Sequence, residues 1–175
     1  TATGALTAAF AAGAFFSSLF SGPIGRYRWH GVGIERSILV YGAAIAAFGA
    51  VLVGASFGWF APDHISENSA NIVMIVASFV ALAVAGAADN VSAIYRSTMM
   101  QSAVPDAIRG RLQGIFTVVV AGGPRIGALY AGVLSTFAAL WFPPLLGGIV
   151  ILGLVGVLAR LSPGFRAYDA RHPVP

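Results

Sequence analysis

Residues 70–101 read ANIVMIVASFVALAVAGAADNVSAIYRSTMMQ. Ile72 to Val76 is apolar at every position, without the alternation a barrel strand needs, and no charge occurs between Ala70 and Ala88. The stretch therefore predicts a helix that crosses a lipid layer. At ~1.5 Å per residue its 32 residues cover ~48 Å, against ~30 Å of hydrocarbon. The excess, which carries Asp89 and Arg96, must project beyond one membrane surface. Outward from this helix the pattern repeats. Thr3–Gly22, Ser37–Phe60 and Leu145–Ala159 are uncharged, and Leu112–Phe142 holds the single charge Arg125. The fold expected is an all-α membrane protein with five transmembrane helices, spanning about 3–22, 37–60, 70–101, 106–138 and 143–160, followed by a tail over 161–175.

Composition agrees. Charged residues make up 9% of the 175 positions, against roughly 25% in soluble chains, and 58% are hydrophobic. Five spans of about 20 residues would account for that apolar fraction. The absence of Cys excludes disulfide frameworks, Cys-type zinc sites, iron–sulfur clusters and thiol catalysis. All ten basic residues are Arg, for a net charge of +4. Arg26, Arg28 and Arg36 follow the first span, Arg96, Arg109 and Arg111 follow the third, and Arg160, Arg166 and Arg171 follow the fifth. That alternation is a topology signal rather than a nucleic-acid surface. By the positive-inside rule the arginine face is cytoplasmic, with the N-terminus outside and the C-terminus inside. The opening TATGALTAAF has no initiator Met, basic n-region or cleavage site, so it is not expected to be a signal peptide and reads as the middle of something longer.

Chemistry is sparse. His30, His64 and His172 fall outside the expected spans and no His-Glu-x-x-His occurs, so an enzyme, a metal site and a cofactor are not expected. Asp63, His64 and Glu67 are read as a solvated loop. Four places hold candidate function. The loop Ser21–Gly31 sets Arg26, Arg28 and Trp29 at headgroup level, as an anchor or as a latch between rigid halves. Asp89 sits at an inner boundary where a carboxylate requires a partner, for which Arg96, Arg109, Arg111 and Arg28 are candidates. A gating ion pair, a structural pair and proton carriage all remain open for it. Pro105 is expected in the first turn of a new helix whose positive end Asp106 complements. Arg125 lies ~21 Å beyond Arg111, in the outer half of the bilayer, just after a Gly122-Gly123-Pro124 loosening. It either lines a protein or water-filled cavity or reaches to a backbone carbonyl or the outer interface.

GAADNVSAIYRSTMMQ (86–101), VPDAIRGRLQGIFTVVVAGGPRIGALYAGVL (104–134) and SGPIGRYRWHGVG (21–33) resemble the C-terminal half of the major facilitator superfamily, in its bacterial enterobactin-exporter-like branch. The resemblance runs from about Gly4 to Asp169 and is most specific over Gly86–Gln101, Pro105–Arg111 and Gly122–Gly127. It implies that the spans are the eighth to twelfth of twelve helices, with alternating access to a small-molecule substrate such as a drug or siderophore. It further implies proton-coupled efflux, a bacterial cytoplasmic-membrane location, and a missing N-terminal half as partner. Gly22 matches the family's loop glycine, but Arg26 stands where that loop carries an acid, leaving Asp89 as the local carboxylate. The coupling carboxylate is expected in the missing half. A non-transporting membrane scaffold, held to its partner by the small face Gly42, Ala46, Gly49 and Ala50, is the competing expectation.

Overall fold

The computed structural model of the chain describes residues 2–25, 29–59, 67–162 and 164. They form five long helices and one short one: α1 (Ala2–Ser18), α2 (Ser21–Gly25), α3 (His30–Ser56), α4 (Glu67–Ala103), α5 (Asp106–Phe137) and α6 (Phe142–Leu161). Four of them, α3 to α6, are long and apolar enough to cross a membrane, and α1 is a shorter apolar helix. The chain is thus an all-α protein with the character of a multi-pass membrane protein.

The helix ends follow from local chemistry. The first expected span breaks after Ser18. Pro23 has no N–H, and its ring would meet the carbonyl of residue 19 in a continuous helix. Ser17 and Ser18 return their hydroxyls to the carbonyls of Ala14 (2.9 Å) and Phe15 (2.7 Å). α3 begins at His30 rather than Ser37, so Glu35 and Arg36 lie inside it. The charged pair suggested a boundary, but Gly31, Gly33 and Ile34 are buried and prolong the helix as packing surface. At its other end Gly58 takes φ +71°, and the Trp59 N–H reaches back to the Gly54 carbonyl at 2.9 Å, the glycine-terminated helix end that a side chain with Cβ resists. Pro105 lies one position before the helical turn expected for it. It is the N-cap of α5, its carbonyl receiving the N–H groups of Ile108 and Arg109, and Asp106 opens the helix. Pro143 and Pro144 open α6, where a missing N–H is harmless.

α4 is the hub, packed along α1 on one side and α3 on another, while α3 also packs along α6. The α1–α4 pair is parallel: Gly13 abuts the Ala83 carbonyl, Gly86 abuts the Phe10 carbonyl, and Asn90 Nδ2 donates to Ser17 Oγ at 2.9 Å. At both glycines even a methyl group would enter the opposite backbone. The α3–α6 pair is antiparallel. A Cβ at Gly42 would lie 2.9 Å from Ile151 Cγ2, at Gly49 2.6 Å from the Leu145 nitrogen, and at Gly148 2.5 Å from the Ala46 nitrogen. Such approach is how membrane helices gain dispersion contact without a hydrophobic driving force.

α5 is the exception. Its 32 residues include no buried one, and it meets the other helices only slightly. Because α3 starts beside the end of α4 (Gly33 against Tyr95) and beside the end of α6 (Ile34 and Ile38 with Val155 and Leu158), Arg36, Arg96, Arg109, Arg111 and Arg160 share one end of the bundle. Trp59 and Trp141 mark the other end.

Candidate functional site

The charged end resolves into two local clusters. Asp89 and Arg96, seven residues apart on α4 and so on nearly the same face, approach to 3.6 Å between Oδ1 and Nη2. Their side chains are 53% and 35% exposed. In water such a pair contributes about 0–1 kcal/mol. Arg96 Nε also donates to the Ser92 carbonyl at 3.3 Å. Arg109 sits at the α4–α5 corner. It pairs with Asp106 at 2.7 Å and donates to the carbonyls of Gln101 (3.3 Å) and Val104 (3.1 Å). It thereby satisfies acceptors that the end of α4 would leave open. Of the cations considered for Asp89, the structure thus brings up Arg96, sets Arg109 against Asp106, and leaves Arg111 exposed. Arg26 and Arg28 lie outside the described residues, as do Asp63 and His64.

Beneath this end lies a buried polar group that the sequence did not single out. His30 is 3% exposed and lies edge-on to Tyr95, ring centroids 5.4 Å apart, with no hydrogen-bond partner at either ring nitrogen. Ser92, 1% exposed, likewise leaves its hydroxyl unpartnered. Ala85, Ala88, Ser92 and Tyr95 recur at spacings of three and four and form a stripe of buried residues along one face of α4. Nothing in the spacing marks His30 as buried, because it precedes the expected span.

Toward the middle and the tryptophan-bearing end, a cavity of about 720 Å³ opens between α1, α3, α5 and α6. Tyr41 and Phe48 of α3, Tyr130, Gly132 and Ser135 of α5 and Pro144 of α6 are among its lining residues. Its size is that of a small-molecule pocket, and its wall is apolar with a few hydroxyls. Leu6, Phe48 and Leu52 continue into a neighbouring cavity of about 390 Å³ against Met74 and Phe79 of α4. The sequence could have suggested these walls only by knowing which helices are neighbours.

Arg125 lies on α5 near this cavity but not among its lining residues, and it is exposed. Gly123 and Pro124 are exposed and Gly122 is partly so. α5 passes through Pro124 as a continuous helix; since proline offers no N–H, the Val120 carbonyl lacks its helical donor there. Among the described residues no group of three His, Cys, Asp or Glu side chains could hold a metal ion. No family model, curated protein or solved structure matches the chain.

Proposed function

We propose that the chain is one bundle of a secondary active transporter, exporting a small molecule by alternating access in a bacterial cytoplasmic membrane. The observation that carries this is α5: a membrane-length helix with no buried residue, holding a guanidinium within its length beside an apolar cavity. A helix that merely anchored the bundle in lipid would have no use for Arg125, since a charge facing hydrocarbon is expensive. A second bundle facing α5 would turn that surface into the wall of a pathway. The resemblance of residues 86–101 and 104–134 to the major facilitator superfamily supports the same arrangement, with proton-coupled efflux as its mode. The arginine-bearing end is then cytoplasmic.

Asp89 and Arg96 act in this proposal as an inner-gate pair that breaks when the cytoplasmic side opens. Arg109 and Arg111, with Arg26 and Arg28, surround that gate. Arg125 lines the pathway, and Gly122, Gly123 and Pro124 give its helix compliance. A scaffold function is less well supported, because Gly42, Ala46 and Gly49 are already occupied by α6 within the chain. The test is a pH-gradient assay in inverted vesicles containing the chain together with the bundle it pairs with. A transporter dissipates the gradient on addition of substrate from a panel of lipophilic dyes and catecholate siderophores, and a scaffold leaves it intact with every compound.

A further inference from the structure

We infer that the bundle parts at the arginine-bearing end of the α3–α4 seam, where His30 and Ser92 take up water as the start of α3 swings away from α4. The neighbouring joints are made backbone to backbone. Gly13 and Gly86 close α1 on α4, and Gly49 and Gly148 close α3 on α6, each with no room for one more carbon. The α1–α4 joint also carries a satisfied polar pair, Asn90 Nδ2 donating to Ser17 Oγ at 2.9 Å. The end of the α3–α4 seam is built differently. Gly33 meets a side chain there, a Cβ at this position lying 2.6 Å from Tyr95 Cε2, and a ring can turn aside where a backbone cannot.

His30 and Ser92 carry the argument. They are 3% and 1% exposed, and neither the His30 ring nitrogens nor the Ser92 hydroxyl has a hydrogen-bond partner among the described residues. The edge-on approach of His30 to Tyr95 is a packing contact, not a hydrogen bond. Ser37 supplies the contrast within the same helix: it too is buried, but its hydroxyl donates to the Gly33 carbonyl at 2.8 Å. A buried polar group without a partner destabilises the state that buries it, so the shut seam is weakened by its own side chains. Arg36, Arg96 and Arg160 lie at this end, where water is at hand. A gap one water wide gives an imidazole and a hydroxyl the partners they lack. Deeper on the same stripe stand Ala88 and Ala85, whose methyl groups gain nothing from water, so the parting stops there. α1 stays with α4 and α6 with α3, because close glycine contact holds each pair. The inference concerns contacts within the chain and is read on the chain alone, so it and the transport proposal can fail separately.

The chain has no cysteine, so single thiols can be placed without interference. With the full chain in phosphatidylcholine–phosphatidylglycerol nanodiscs, Ser92→Cys should react with a water-soluble methanethiosulfonate reagent. Ala85→Cys, two turns deeper on the same stripe and 0% exposed, should stay unmodified. Adding His30→Phe, which keeps an aromatic ring and removes its nitrogens, should slow the reaction at position 92 by about tenfold. Spin labels at Arg36 and Ser97, exposed on α3 and α4, should show a second, longer distance, which Ser92→Ala or His30→Phe depletes. Labels at Arg36 and Arg160 should keep one narrow distance, because α3 and α6 move together. An unreactive Ser92→Cys, equal reaction at positions 92 and 85, or a rate indifferent to His30→Phe overturns the inference. Should His30→Phe not fold, the Ser92→Ala distances decide, and an Arg36–Ser97 distribution that this variant leaves unchanged overturns it as well.

Discussion

α4 and α5 are comparable in length, 37 and 32 residues, yet glycine has opposite consequences in them. On α4 Gly86 lies against the α1 backbone, and its counterpart Gly13 lies against α4; neither has room for one carbon. On α5 Gly110, Gly114, Gly122, Gly123, Gly127 and Gly132 all face open space. A glycine inside a helix costs about 1 kcal/mol relative to alanine, which close approach offsets on α4 and which nothing in the chain offsets on α5. The difference teaches that the bundle packs closely against one side of α4 and hardly at all against α5.

The strongest way to break this comparison is at the α1–α4 crossing. Gly86→Val would drive side-chain carbons into the Phe10 carbonyl, and because backbone rather than a flexible side chain stands in the way, the two helices must separate. Overpacking of this kind costs about 1–3 kcal/mol or more. The variant should lose its cooperative thermal transition in detergent or melt more than 10 °C lower. Gly123→Ala on α5 should leave the melting temperature unchanged or raise it slightly, since it gains helix propensity without a collision. Equal losses at the two positions would show that α5 is packed in solution.

The next effect is smaller and concerns the same crossing. Asn90 and Ser17 form a side-chain hydrogen bond between the two helices. Asn90→Leu should cost about 0.6–2 kcal/mol, the range for interhelical hydrogen bonds in membranes. In a double-mutant cycle with Ser17→Ala the two losses should be less than additive. Full additivity would mean that the bond contributes nothing in the bilayer.

How much of this was open to inspection in the sequence differs by element. The span at 70–101 was legible because a long uncharged run admits one structure in lipid, and α4 extends only a few residues past it at each end. α3 was shortened by seven residues because Glu35 and Arg36 resemble a boundary, whereas a long helix tolerates charges at the membrane surface. The break after Ser18 carried a visible signal, Pro23, whose effect falls four residues upstream. Gly42, Ala46 and Gly49 were recognisable as a contact face, but a sequence does not say whether the contact lies within the chain or outside it; α6 fills it. Spacing put Asp89 and Arg96 on nearly one face but left Arg109, Arg111 and Arg28 as further candidate partners, and only the structure brings up Arg96. The buried His30 and the cavity between α1, α3, α5 and α6 depend on which helices are neighbours, which no local pattern encodes.

The smallest effect on stability bears most directly on the transport proposal. Asp89 and Arg96 are about half and a third exposed, so Asp89→Asn should change the melting temperature by no more than 1–2 °C. A structural pair predicts nothing further. A gate predicts more: if the pair holds the cytoplasmic side shut, its loss shifts the balance between inward-open and outward-open states by the same few tenths of a kcal/mol. When the two states are close in energy, that is enough to change their populations measurably. Spin labels on the cytoplasmic ends of α4 and of the facing bundle would then report a longer mean separation in Asp89→Asn, and Arg96→Gln should match it. An unchanged distance distribution in both variants would reduce the pair to an ornament of the α4 surface and move the search for a gate to Arg109 and Arg111.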